Sequence, residues 1–225
     1  MAQIYLQEVF MSVTKLDFAE PFFSVDYVVD EESYHVDKKS IVINLAEHAQ
    51  SNIYIRKVPI YPLKSSVVEN ITIDNIKKAI VVKDFQRCDL NDYKTIKAIK
   101  STWKSIYACS GLERHKGLPY YKSPKFITGG DDDHMEINFC FVAEPFAPSG
   151  PHKTHTRNFD EVHAQIAGYG KMRIFEENDY STLYRELNLC PGTVHEKMYD
   201  ENGDYPWHEY MSVTPCIYCP IELDR

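Results

Sequence analysis

Between residues 134 and 167 the chain repeats one pattern twice. In 134–141, Met135, Ile137, Phe139 and Phe141 fall on one face of an extended strand, and His134, Glu136, Asn138 and Cys140 fall on the other. In 161–167, Glu161, His163 and Gln165 alternate with Val162, Ala164 and Ile166. A side-chain period of two belongs to strands and not to helices. Two neighbouring strands whose polar face is made of His and Glu have two explanations. That face meets solvent, or it lines the mouth of a barrel that holds a metal or a ligand.

The histidines decide between these. Of nine, seven lie after residue 110, and His152, His155, His163, His195 and His208 fall in one stretch with Glu161 among them. Neutral imidazole is the commonest protein metal ligand. Two or three imidazoles with one carboxylate leave open positions on Fe(II), Mn(II), Ni(II) or Zn(II). An inward-facing carboxylate is costly to bury unless charge or metal compensates it. His115 and His134 stand apart and read as structural.

The remainder sorts by period and turn chemistry. Residues 24–29, 39–45 and 52–61 read as strands, with Pro59 and Pro62 placing the end of the last at an edge. Residues 72–80 read as a short helix. Ile96, Ile99, Trp103, Ile106 and Tyr107 predict one helix over about 89–110, capped by Asp89 or Asn91 and ended by Gly111. Its Lys94, Lys97, Lys100 and Lys104 read as a solvated face. Cys216 and Cys219 form a lone CxxC; without a second pair they read as two reduced thiols on a strand. The division expected is 1–115, a β-rich extension with the helix, and 116–225, the barrel.

The order and spacing of residues from about 120 to 223 resemble the cupin superfamily. Gly150-Pro151-His152-Lys153-Thr154-His155, then Glu161, then Gly168 seven residues on, are similar to its first motif; Gly168–Gly170 makes the turn and 171–175 the returning strand. The stretch 189–194, then His208 in 205–210, with 216–223 closing, is similar to its second. The family's usual pair is His-x-His, whereas here it is His152-x-x-His155, which a regular strand cannot turn inward together; a bulge intervenes, or one of them ligates. The step of six from His155 to Glu161 is similar to homogentisate dioxygenase-type cupins.

The resemblance implies a mainly β fold, a cupin-like β-barrel (double-stranded β-helix) with an N-terminal β-rich extension and one clear α-helix. It implies metal ligands His155, Glu161 and His208, with His195 as the alternative for the last position and His152 as a further candidate. His163, Gln165, Arg173 and Tyr210 are the candidates for substrate contact or proton movement, Arg173 as a partner for a substrate carboxylate. Fe(II) is the favoured metal, with Mn, Ni or Zn open. The expected activity is a non-haem iron dioxygenase acting on a small organic substrate. The alternatives are a redox-neutral isomerase, epimerase, lyase or decarboxylase, with Glu136, Glu196 or Tyr210 as base, and a non-catalytic small-molecule-binding cupin.

A net charge of −8 and the lack of a concentrated basic face argue against nucleic acid as partner. No apolar run reaches membrane-spanning length, and residues 1–5 do not read as a leader. The expectation is a cytoplasmic homodimer.

Overall fold

The computed structural model describes residues 12–130, 134–155 and 157–224; residues 1–5, read above for a leader, lie outside them. The first sheet holds β1 (Val13–Leu16), β2 (Ser24–Val36), β3 (Ser40–Asn44), β4 (Ile53–Ile55), β5 (Val58–Ile60), β6 (Ser65–Val68) and β7 (Ile71–Lys83). Its main path runs β1-β2-β7-β3-β6, with β4 and β5 joining at the side. The expected helix at 72–80 is instead the middle of β7. Ile73, Ile76, Ile80 and Val82 are buried there by pairing along nearly the whole of β2, and tertiary pairing overrides a short, ambiguous local pattern.

Two short helices follow, α1 (Tyr93–Thr102) and α2 (Ile106–Ser110), where one had been expected. Trp103 turns extended and β8 (Lys104–Ser105) separates them. The N-cap is Asp92, whose carboxylate accepts from the N–H groups of Lys94 and Thr95. Gly111 closes α2 in the left-handed conformation, as its position predicts.

The second sheet contains β8, β9 (Tyr120–Lys122), β10 (Phe126–Thr128), β11 (Met135–Ile137), β12 (Cys140–Val142), β13 (Phe159–Ala167) and β17 (Cys216–Asp224). The stretch 134–141 is therefore two short strands, and both pair with β17. A third sheet of β14 (Gly170–Phe175), β15 (Leu183–Leu189) and β16 (Trp207–Ser212) has β14 at its centre.

The fold is mainly β, and period-two alternation decides which residues meet. On β17, Ile217, Cys219, Ile221 and Leu223 join Val162, Ala164 and Ile166 of β13 and Ile41, Ile43, Ile80 and Val82 of the first sheet in one core. The N-terminal sheet thus packs on the outer face of the sheet that carries Glu161. Phe18, Phe23, Phe126, Phe139 and Trp103 fill one side of this core with stacked, edge-on and tilted rings. The opposite face of β12 and β17, with Cys140, Cys216 and Tyr218, shares a second core with Met172, Ile174, Leu189 and Tyr210 of the third sheet. The histidines gather between these two sheets. No helix among the described residues is long and apolar enough to cross a membrane.

Candidate metal centre

Three histidines converge. His152 and His208 form an isolated antiparallel bridge in which each N–H donates to the other's carbonyl at 2.9 Å. Such a pair puts both side chains on one face, and the rings stand 4.4 Å apart. Residues 153–155 then leave strand geometry. That irregular stretch turns His155 inward beside His152, where a regular strand would have turned it away. Its ring lies parallel to Phe159 at 4.5 Å and 5.3 Å from each of the other two imidazoles. One ligand atom from each of His152, His155 and His208 falls within 4.8 Å of the others.

The tautomers are set by backbone. His152 Nδ1–H donates to Gly150 O at 2.9 Å and His208 Nδ1–H to Pro206 O at 3.1 Å. In both rings Nε2 is left with its lone pair, the form a metal ligand needs. The Nε2 of His208 is buried with no hydrogen-bond partner. Burial, and then the neighbouring imidazoles and Arg114, hold His152 well below the usual histidine pKa; burial brings His208 down to about 4, against the pull of Glu161. Both rings are neutral at physiological pH.

Glu161 lies beside this cluster. Its Oε2 is 4.0 Å from His155 Nε2 and its Oε1 is 3.1 Å from His163 Nε2. Burial would raise its pKa, but His163 first, then His155 and His208, hold it well below the usual carboxylate range. An ionised carboxylate beside three clustered imidazoles, two of them held neutral, is a donor set that fits a divalent cation. Thiolates do not compete: burial pushes Cys140 up to about 11 and Cys216 up to about 12.

His195 stands outside the cluster. Its Nδ1–H donates to Glu196 O at 2.7 Å, and its Nε2 accepts from the backbone N–H of His163 at 2.9 Å. Both ring nitrogens are spent, so His195 holds β13 in place and has no lone pair for a metal. Between the two candidates for the last position, His208 is the one beside His152 and His155.

The other candidates divide. His163 bears on Glu161, as their shared face implies. Gln165 and Tyr210 do meet, but they satisfy each other: the Tyr210 hydroxyl donates to Gln165 Oε1 at 2.8 Å, and Gln165 Nε2 donates to Ala167 O and Gly168 O. Tyr210 also stacks on Tyr218 at 3.9 Å. They form a floor beneath His163, whose ring lies 5.7 Å from Tyr210 and 4.7 Å from Tyr218. Arg173 is a correction. On β14 it pairs in register with Glu209, while its neighbour Ile174 faces His208, so alternation sends it to the outer face. There it donates to Glu209 Oε1 at 2.8 Å.

Sequence reasoning missed Arg157 and Glu222. Arg157 lies between His155 and Glu161 and reaches Glu136, Glu222 (3.2 Å) and Asp224 (3.1 Å). Lys125 joins Glu136 and Glu222. In register, Glu136, Glu222 and Glu161 stand side by side across β11, β17 and β13. The signal was the even-numbered face of β17, legible only once β17 is known to lie between β11 and β13.

The chain is similar to several solved structures at low identity. The chain is similar to an oxalate oxidase in complex with the substrate analogue glycolate (14% identity, TM-score 0.34), over 50% of this chain and 54% of that one. It is similar to a salicylate 1,2-dioxygenase from Pseudoaminobacter salicylatoxidans (9%, TM-score 0.37), over 89% and 70%, and to an RmlC-like cupin from Desulfovibrio desulfuricans (10%, TM-score 0.30), over 44% and 80%. The chain thus spans about half the length of the oxalate oxidase. No protein-family model and no curated protein matches the chain. At these identities and TM-scores the likenesses carry no argument, and the functional reading rests on this chain's own side chains.

Proposed function

We propose that this protein is a metal-dependent cupin enzyme acting on a small organic substrate, with His152, His155, His208 and Glu161 as its metal ligands. The observation that carries this reading is the convergence of three imidazoles beside an ionised, largely enclosed Glu161. Fe(II) is the favoured metal and oxygen-dependent oxidation the favoured reaction; such a metal would supply Lewis acidity and a site for redox chemistry.

The protein's own part is positional. Gly150 O and Pro206 O orient two imidazoles through Nδ1. His163 steadies the Glu161 carboxylate and is the group best placed to hold or move a proton at Glu161 Oε1. The Gln165–Tyr210–Tyr218 floor excludes water from below. Arg157 ties the loop carrying His155 to β11 and β17.

The test is oxygen uptake by protein reconstituted with Fe(II) without oxygen, then mixed with a panel of small organic acids, diols and phenols in air. Uptake that depends on one of these compounds and disappears in Glu161→Ala supports the reading. Metal-dependent turnover without uptake replaces dioxygenase with a redox-neutral isomerase or lyase. Stoichiometric metal with no turnover of any kind favours a binding module.

A further inference from the structure

Three consecutive residues of β16 hold the segment that carries His152. His208 exchanges both backbone hydrogen bonds with His152. Tyr210 O accepts from the Ser149 N–H at 2.8 Å, and the Tyr210 N–H donates to Ser149 Oγ at 3.1 Å. Between them Glu209 acts through its side chain: Oε2 accepts from the Gly150 N–H at 3.2 Å.

A bulge explains why a side chain is needed there. Pro148 bridges to Met211 and His152 to His208, so the segment takes four steps where β16 takes three. One extra residue in one strand of an antiparallel pair interrupts the ladder and re-aims the side chains beyond it. Gly150 has a φ of +87°, the left-handed conformation that suits a glycine in a bulge. A Cβ there would meet nothing within 4 Å, so backbone conformation and not space selects the glycine. The Glu209 carboxylate that takes up the Gly150 amide is itself fully buried. Arg173 donates to its Oε1 at 2.8 Å, and the Tyr180 hydroxyl donates to its Oε2 at 3.2 Å.

Gly150 is thus held at its amide by Glu209, and at its carbonyl it holds the Nδ1–H of His152, at 2.9 Å. The hydrogen bond at one ring nitrogen decides which nitrogen keeps the lone pair. We infer that Glu209 is a positioning residue for the metal centre: by fixing the bulged Gly150 it sets the tautomer and the aim of His152. His208 has its own acceptor in Pro206 O, so the effect is confined to one of the two rings. The consequence for metal binding rests on the ligand set proposed above; the orientation of the ring does not.

The test is NMR of metal-free protein labelled with 15N, in which long-range 1H–15N correlations report the tautomer of each neutral ring. His152→Ala assigns the His152 signals. The variants are Glu209→Gln and Arg173→Met/Glu209→Met, the second removing the buried pair together. In Glu209→Gln, Arg173 has only donors, so it takes the amide oxygen and leaves the NH2 group facing the Gly150 N–H. The wild type is expected to show the Nδ1–H tautomer at both His152 and His208. In either variant His152 is expected to gain the Nε2–H form while His208 keeps Nδ1–H. Zinc affinity, measured by chelator competition, is expected to fall about 10-fold to 100-fold. An unchanged His152 tautomer in a folded variant overturns the inference. So does loss of the Nδ1–H form from both rings together, the mark of a general loosening. A His152 shift with undiminished zinc affinity supports the positioning role and removes His152 from the ligand set, so the metal reading fails separately. If neither variant folds, the wild type decides. A Gly150 amide proton protected from exchange, with Nδ1–H at His152, supports the inference; an unprotected Gly150 amide or an Nε2–H His152 overturns it.

Discussion

His152 and His208 exchange both backbone hydrogen bonds, so the strand that carries the last imidazole also positions the first. The pairing joins two segments more than fifty residues apart and aims both Nε2 atoms at one point. Removing either ring should leave the backbone bridge intact and cost metal affinity. His152→Ala and His208→Ala are each expected to bind metal at least about 100-fold more weakly, since even partners that only orient a ligand are worth about 10–100-fold. Competition with a chromophoric chelator measures it. Undiminished affinity in either variant would remove that residue from the ligand set.

His163 makes a separable prediction. It touches Glu161 and not the three-histidine cluster. His163→Ala should weaken metal binding by about 10-fold to 100-fold without abolishing it, as expected of a partner that orients a ligand. Complete loss of metal from a folded variant would make His163 a ligand instead.

Acid should destabilise the metal-free protein through its buried neutral histidines. Burial brings His195 down to about 3 and His208 to about 4, from an ordinary value of 6.5. Protonation therefore favours the unfolded chain. The stability these rings contribute is complete above about pH 6.5 and is lost as pH falls from there toward their folded values, at up to about 1.4 kcal/mol per pH unit for each ring. Urea unfolding between pH 7.5 and 5 should show the decline, and His195→Gln should make it shallower by about one proton. An unchanged slope would mean that His195 is not held neutral.

Arg173 should behave as a structural residue. Glu209 is fully buried, and besides Arg173 it is met by the Tyr180 hydroxyl and the Gly150 N–H. Arg173→Met leaves that carboxylate without its cation and should cost about 3–5 kcal/mol. The urea midpoint reports it. A variant as stable as wild type but unable to bind a carboxylate would return Arg173 to the site.

What was legible in the sequence follows from which interactions are local. Alternation on β13 reads directly, because each residue's face is fixed by its neighbours; hence Glu161, His163 and Gln165 share a face as expected. Gly168 and Gly170 bracket the turn after β13. A Cβ on Gly168 would collide with Pro215 O, and one on Gly170 with the Tyr210 hydroxyl, so the spacing also records close packing. Long-range pairing was not legible. The bridge between His152 and His208, the register that sets Glu222 beside Glu161, and the β2–β7 ladder that replaces the expected helix at 72–80 depend on partners far away in the chain. His195 and Arg173 looked functional by residue type, and only their hydrogen bonds show them committed elsewhere.

The central claim is that the three imidazoles and Glu161 hold one divalent ion. Elemental analysis of protein purified without added metal, beside His208→Ala and a folded His155→Ala/Glu161→Ala variant, tests it most directly. The predicted result is close to one iron, manganese, nickel or zinc per wild-type chain and little or none in either variant. Wild-type protein that stays metal-free even after reconstitution, or variants that retain the full complement, would contradict it.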